Sequence, residues 1–432
     1  MRVLLVQTLS MEDAPPEKVY PIGIVCLAGY LADQGHTVSL LDMNMAGDPF
    51  GSLKQRLLDF QPELVGLSLR NVDPLGNRTS SLIPPFIVAV RMVAALVPEA
   101  WIVAGGTGFS LFPERIMQEL PEIDYGIAGE GEISFPALVC SLSNPPGPGS
   151  RLPAPSTQLH LSRYTPPRRQ LLDPAPYLDI NSYVPPIGIE TKRGCPYRCA
   201  YCVYPRLQGN GLRCRRPVSV VDEMESLCRE YSVARFHFTD PVLNIPDGHL
   251  EEICHEILRR KLKVRWSGFM REDHLDEKNI ALFEKAGCEC FFFSADGLCQ
   301  ESLDVLNKGL SEADVLKAAG LAAASEVISV YHFMVNVPGE TKASVAKGIK
   351  LLDRIYGLHS PKKNLGTVVL NNIRILPGTI IEKIARKEGV IGPETDLLYP
   401  VYYNPKPFDT LRYQLQTLHL QQNVFMWHEV KK

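Results

Sequence analysis

The chain has no unbroken apolar run approaching the roughly 18 residues of a membrane-crossing helix, so no helical membrane span is expected. It has no charge excess either. The 45 Lys and Arg against 48 Asp and Glu leave a formal net charge of −3, and no global basic field points to nucleic acid. No short internal repeat is present, which excludes a solenoid. The paired-cysteine framework of a small secreted domain is also missing: eleven cysteines, an odd number, are scattered over 432 residues, which argues against disulfide stapling. Met1–Gln7 is too short an apolar run for a signal peptide and reads as a buried first strand, so a cytoplasmic location is expected. What is present is a composition of 45% apolar and 22% charged residues, ordinary for a chain with a real core and long enough for two or three domains.

Residues 1–142 alternate strand and helix patterns. Apolar strands are predicted at 2–7, 37–42, 63–69, 101–104 and 124–128, with helices at 21–35 and 83–96 among those between them. This is the pattern of an α/β fold, a doubly wound, Rossmann-like parallel sheet. Residues 143–185 break it with Asn144-Pro145-Pro146-Gly147-Pro148-Gly149 and further prolines, and read as a linker. Alternation resumes over 186–390, with strands predicted at 187–191, 235–238, 263–267, 290–294, 328–335 and 368–375. Six such units suggest a partial (β/α)6 barrel. Ser219-x-x-Asp222 and Ser311-x-x-Asp314 have the spacing of helix caps, and Gly287 closes a helix. The tail over 391–432, rich in Tyr, Pro and Gln, reads as a small C-terminal cap.

The segment with most chemistry is Gly194-Cys195-Pro196-Tyr197-Arg198-Cys199-Ala200-Tyr201-Cys202, in the loop after the first strand of the second unit. Cys-x3-Cys-x2-Cys presents three thiolates on one tight loop. A four-iron cluster takes thiolate ligands, and three of them leave one iron open. An open iron can chelate the amino and carboxylate groups of a methionine moiety and set its sulfonium against the cluster. Arg193 and Arg198 lie where they can offset the cluster's negative charge. The alternative is a zinc site, with Cys214 as its fourth ligand. Cys26, Cys140, Cys228, Cys254 and Cys299 sit in apolar or helical surroundings and read as packing residues.

On these residues, 186–380 resembles the radical S-adenosylmethionine (SAM) enzymes. The resemblance implies that Cys195, Cys199 and Cys202 hold a [4Fe-4S] cluster and that Tyr201 contacts the adenine of SAM. It places Thr239 and Asp240, in Phe236-His237-Phe238-Thr239-Asp240, near the SAM amino group. Ser294 and Asp296, in Phe293-Ser294-Ala295-Asp296-Gly297, fall where the family contacts ribose and carboxylate, although the usual Gly-x-Glu-Ser is absent here. Lys308-Gly309 follows at the family's offset. Asn336-Val337-Pro338-Gly339 and Leu376-Pro377-Gly378-Thr379 match its later turns, or are simply turns.

Open parallel sheets bind ligands at the carboxyl ends of their strands. Here those ends carry Gly23, Gly105-Gly106-Thr107-Gly108 and Gly129-Glu130-Gly131, where glycine lets backbone approach a ligand closely. Three such loops in this order resemble the cobalamin-binding domain fused to many radical SAM enzymes. Asp42-Met43-Asn44-Met45-Ala46-Gly47 has Asn where the Asp-x-His-x-x-Gly motif has His, so cobalamin without a protein histidine ligand is expected. Arg70, at the end of the third strand, resembles the tryptophan 2-C-methyltransferase branch and can lie against the lower face of the corrin; the alternative pairs it with Asp73 or a loop carbonyl.

Together the resemblances imply a methyltransferase that moves a methyl group from SAM through cobalamin to a carbon of a small-molecule substrate, fed by a one-electron donor such as a flavodoxin or ferredoxin. The alternative is a cyclase or oxidoreductase with the same cofactors and no net methylation. Arg213, Arg215 and Arg216 form a basic run that could meet an acidic donor or stay solvated. Tyr331 or His332, on the fifth strand, is a candidate base; alternation allows at most one of them to face the barrel interior.

Overall fold

A computed structural model describes residues 1–10, 19–142, 158–178, 184–418 and 424–425. The chain divides into two compact units, the first built chiefly from Met1–Pro74 and Thr79–Asn181, the second from Ser182–Leu397 and Val401–Lys432.

In the first unit the order is β1 (Arg2–Gln7), α1 (Ile22–Asp33), β2 (Thr37–Asp42), α2 (Pro49–Phe60), β3 (Leu64–Ser68), α3 (Ile83–Leu96), β4 (Trp101–Gly105), α4 (Thr107–Leu111), α5 (Pro113–Glu119), β5 (Tyr125–Gly126) and α6 (Gly131–Leu142). The strands form one parallel sheet in the order β2-β1-β3-β4-β5. Val3, Leu4, Leu5 and Val6 are buried in succession, as a central parallel strand covered on both faces requires. Strand order reverses between β1 and β3, and the crevice beyond their carboxyl ends is where such a sheet receives a ligand.

The second unit runs β6 (Gly188–Ile189), β7 (Lys192–Arg193), α7 (Tyr204–Gln208), β8 (Arg213–Cys214), α8 (Pro217–Tyr231), β9 (Arg235–Phe238), α9 (His249–Arg259), β10 (Arg265–Met270), α10 (Glu277–Lys285), β11 (Cys288–Asp296), α11 (Gln300–Val305), α12 (Glu312–Ala324), β12 (Ile328–Met334), α13 (Lys342–His359), β13 (Leu365–Asn371), β14 (Ile373–Arg374), α14 (Ile380–Lys387), β15 (Tyr402–Tyr403), α15 (Leu411–Leu418) and β16 (Val424–Phe425). β6-β9-β10-β11-β12-β13 pair in parallel in that order, and β16 adds to the far edge of β13. Six parallel strands with helical crossovers make the partial barrel expected.

The two faces of this sheet differ. On the helix side, Trp266 is fully buried, packs edge-on against Phe238 and against Phe283 of α10, and donates from Nε1 to the Ala286 carbonyl at 3.0 Å. On the opposite, interior face stand His237, Phe269, Phe292 and His332, in mutual ring contact.

Several local expectations change. Ser219 does not cap α8: the helix starts at Pro217 with Arg216 as its N-cap residue, because proline is preorganised for the first helical position. Ser311 does cap α12, with a reciprocal bond to Asp314. β10 extends to Met270, past the predicted end at 267, so Arg271-Glu272 fall at the strand's carboxyl end. Arg215 is not part of a basic surface; it is buried and paired with Glu223 at 2.8 Å. Cys140 is exposed rather than packed. No described helix is long and apolar enough to cross a membrane.

Replacing Trp266 by Ala removes the largest side chain of the helix-side layer. The expected cost is about 3–5 kcal/mol, read as a lower denaturant midpoint for the transition of the second unit.

Candidate functional site

β7 and β8 pair Lys192 with Cys214 and Arg193 with Arg213, and the cysteine loop runs between them. Gly194 enters it at φ +90°, where an added β-carbon would lie 2.1 Å from the Gly211 carbonyl oxygen. Only glycine fits. The loop is pinned from separate segments. The Cys195 N–H donates to the Gly209 carbonyl at 3.1 Å, the Ala200 N–H to Leu306 at 2.8 Å, and Ile381 donates to the Ala200 carbonyl at 3.0 Å. Asn307 Nδ2 donates to the Arg198 carbonyl at 2.7 Å. Tyr197, between the first two cysteines, carries the Arg271 guanidinium 3.7 Å from its ring centroid and shares a hydrogen bond of 3.0 Å with His274 Nε2.

Burial raises the Cys195 thiol and pushes Cys202 up to about 12; neighbouring loop cysteines add to each rise, and Lys308 opposes it. The three thiols therefore sit in one another's field and share a cation. Arg193 does not serve them, since Glu190 holds it at 2.9 Å through two guanidinium nitrogens. Cys214 is raised by burial and faces Lys192 and Asp240 instead. No three His, Cys, Asp or Glu side chains among the described residues stand close enough to hold a single metal ion. A zinc ion would gather its sulfurs at about 2.3 Å from one centre, whereas a four-iron cube spreads them over separate irons. The donor set of three thiols on one loop beside a buried lysine fits the cube with one iron open.

Beside this loop lies a buried polar group. Tyr201 donates its hydroxyl to Asp296 Oδ2, which also receives Lys308 Nζ at 2.8 Å; Lys308 Nζ lies 3.2 Å from the Tyr201 oxygen. Burial lowers the Lys308 ammonium, but Asp296 and Cys199 outweigh it and raise it overall. Burial and the Asp296 charge raise Tyr201, which stays a phenol. Asp296 itself is left-handed, φ +61°, where β11 ends. Asp240 is buried and spoken for: its carboxylate accepts from the Thr191 N–H at 2.8 Å, the Thr191 hydroxyl at 2.5 Å and the Lys192 N–H at 3.1 Å. Thr239 is exposed and Ser294 half-buried. Glu272 is 2% exposed, and its Oε1 has no hydrogen-bond partner. Burial pushes its carboxyl up to about 7, against the pull of Lys308.

Tyr331 does not face the barrel interior. It is buried on the helix side, with its hydroxyl 2.8 Å from Nε2 of His359 on α13. Because alternate residues point to opposite faces, its neighbour His332 is the interior one. The His332 Nε2 is buried without a partner between Phe269 and Phe292, and burial lowers its pKa.

In the first unit, Asn44 occupies the place a cobalt-ligating histidine would hold in the motif. It is saturated: Nδ2 donates to Asp42 at 2.7 Å and to the Thr8 carbonyl, and Oδ1 accepts from Ser10 N–H and hydroxyl. Gly106, φ +97°, lies so close to the Leu69 carbonyl oxygen that a β-carbon would stand at 2.6 Å, while Gly23 borders open space. The Gly129 N–H donates to Ser110 Oγ at 2.9 Å, and Glu130 accepts from the Leu159 N–H at 2.8 Å. Arg70 is exposed at the end of β3 and close enough to Asp42 to lower that carboxyl, a smaller effect than the burial that raises it. Of these glycines Gly23 borders open space, whereas Gly105, Gly106 and Gly131 pack against the chain itself.

The B12 binding domain family matches residues 14–139, and the Radical SAM superfamily matches residues 189–352. The chain joins a B12-binding domain to a radical SAM domain. These domains imply cobalamin for the first and a [4Fe-4S] cluster with SAM for the second. The chain is 24% identical over 346 residues to an uncharacterised methyltransferase of Pyrococcus horikoshii, covering 78% of this chain and 73% of that protein. It is 25% identical over 355 residues to the anaerobic magnesium-protoporphyrin IX monomethyl ester cyclase of Rubrivivax gelatinosus, covering 77% of this chain but only 61% of the relative's length. The solved radical SAM methyltransferase TsrM of Kitasatospora setae, with cobalamin and a [4Fe-4S] cluster bound, superposes with a TM-score of 0.72 at 24% identity, over 89% of this chain and 75% of that one. At that identity it shares the fold.

In this radical SAM/B12 chain, Arg271 and Glu272 escaped the sequence reading because β10 was ended early. A strand drawn through Met270 would have put both at the barrel's active end. Cys199→Ala is expected to lose most iron after anaerobic reconstitution, whereas Cys214→Ala keeps it; iron and sulfide assays decide. Equal losses would return Cys214 to the ligand set.

Proposed function

We propose that this chain is a cobalamin-dependent radical SAM methyltransferase that moves a methyl group from SAM through cobalamin to a carbon centre of a small-molecule or amino-acid-derived substrate. The observation that carries the reading is the three-cysteine loop held against Tyr201, Asp296 and Lys308, in a chain that also carries a B12-binding domain. When bound, the cluster supplies an electron to the sulfonium and cobalamin carries the methyl group.

The protein's part is placement. Cys195, Cys199 and Cys202 hold the cluster, and Lys308 offsets its charge from a buried position. Tyr201, Ser294 and Asp296 contact the adenosine portion of SAM. Asp240 acts at one remove: by accepting from Thr191 and Lys192 it fixes the strand that leads into the cysteine loop. Gly23, Gly105, Gly106, Gly129, Glu130 and Gly131 would border cobalamin at the strand ends, and Arg70 would offer it a cation. The acceptor lies on the interior face of the barrel, where Phe269 and Phe292 offer flat apolar walls and His332 a free nitrogen able to take a hydrogen bond or proton. A one-electron donor such as a flavodoxin or ferredoxin completes the system.

The cyclase reading has specific support in the comparable likeness to the magnesium-protoporphyrin cyclase. One experiment separates the two. The full chain is reconstituted anaerobically with iron, sulfide, cobalamin, SAM and a reductant, and candidate acceptors are analysed by mass. Methylated product with S-adenosylhomocysteine supports the methyltransferase; deoxyadenosine without methyl incorporation supports the cyclase and overturns it. In the same assay His332→Ala is expected to lower product formation by about tenfold or more, while Tyr331→Phe keeps most of it.

A further inference from the structure

A chain of hydrogen bonds runs from the surface of the second unit into the cysteine loop. At its outer end the Asp247 side chain is 84% exposed and meets His274 Nδ1 at 2.7 Å. A carboxylate only accepts, so Nδ1 carries the proton and the neutral imidazole has a bare Nε2. That Nε2 lies 3.0 Å from the Tyr197 hydroxyl, which donates to it. Tyr197 stands between Cys195 and Cys199, with the Arg271 guanidinium 3.7 Å from its ring centroid. The histidine is also held from behind, because Asn279 Nδ2 donates to the His274 carbonyl at 2.9 Å.

The charges around His274 have other partners. Asp273 Oδ1 lies 3.9 Å from Nε2, but Arg271 holds it at 2.8 Å. Asp276 caps α10 through the Asn279 N–H at 2.8 Å. α12, packed on the Glu272–His274 turn, brings Asp314, bonded to Ser311 at 2.7 Å, and Lys317. Glu272 is buried on the same turn. Asp247 is the carboxylate bonded to the imidazole, and it favours the imidazolium; Arg271 opposes it. A proton arriving at Nε2 reverses the inner bond. Nε2–H then donates, the Tyr197 oxygen accepts, and a positive charge stands one side chain away from the thiolates.

Resting on the radical SAM reading above, we propose that His274 is a positioning residue that acts through Tyr197 to couple reduction of the cluster to uptake of one proton from solvent. His274 gains the proton at Nε2 as one electron enters the cluster from the one-electron donor. Tyr197 keeps its own proton, which turns out of the inner bond. The new N–H is the only covalent bond formed. The imidazolium offsets the charge that the electron adds, so reduction is easier at low pH. Well below about pH 6.5, where histidine ordinarily titrates, the imidazole is charged in both redox states; well above it, the imidazole is neutral in both. Between these limits the midpoint potential falls as pH rises, by about 59 mV in all for a tenfold coupling.

The test uses the full chain, reconstituted anaerobically with iron and sulfide. The midpoint potential of its cluster is followed by electron paramagnetic resonance from about pH 5 to about pH 8. Wild type is expected to show the fall. His274→Gln, which can still bond Tyr197 but takes no proton, is expected to hold the high-pH potential throughout. Asp247→Asn, an exposed change that leaves the imidazole in place, is expected to move the fall to lower pH, and it serves should the Gln variant lose iron. Burial pushes the Glu272 carboxyl up to about 7, into the same range, so Glu272→Gln is the control and is expected to keep the fall. A flat wild-type profile, an Asp247→Asn profile that matches wild type, or a fall that survives His274→Gln or vanishes with Glu272→Gln overturns the proposal and leaves the radical SAM reading intact. A wild-type cluster signal that does not respond to SAM overturns that reading.

Discussion

The bond network of Tyr201, Asp296 and Lys308 is the constraint on which the candidate site depends. It ties the cysteine loop to the end of β11 across 95 residues of sequence and to the Lys308 turn across 107. A buried ion pair of this kind adds little net stability, because desolvation consumes most of its Coulombic gain. Its effect is on geometry. With the Tyr201 hydroxyl, the Asp296 carboxylate and the Lys308 ammonium each bonded to the other two, the residue before the third cysteine is fixed in place. The left-handed backbone at Asp296 and the tight packing of Gly297 against Leu303 turn β11 sharply enough to deliver that carboxylate.

Around that network the acids of the second unit divide by what remains for them to bind. Asp240 is spent on the backbone of the strand that enters the loop, and Asp296 on Tyr201 and Lys308. Among the described acids of that unit, only Glu272 has a fully buried oxygen without a partner. Satisfied buried acids build a scaffold; an unsatisfied one is tolerated where a ligand completes it. The same contrast separates the two residues of β12. Tyr331 has its partner in His359, and His332 has none.

In the first unit, strand order reverses between β1 and β3, and at the strand ends Gly106 and Gly108 pack on the backbone of Leu69 and Asn71. Asn44, held by Asp42, Thr8 and Ser10, seals its own polar groups away from the opening.

Much of this was legible in the residues alone. Strand and helix periods located both sheets, because burial on one or two faces imposes a local repeat. The cysteine spacing located the loop, because three thiolates on one cluster must be near in sequence or be brought together at cost. The glycine runs marked the strand ends. What the sequence left open were questions of facing and partnership. The extra length of β10, and with it the position of Glu272, depends on pairing with β9 and β11. The face taken by Tyr331 depends on a histidine 28 residues away, and the occupation of Asp240 on a strand 49 residues away. A local pattern states how often a side chain is buried; only the packed structure decides against what, since that is settled between segments that the chain itself keeps far apart.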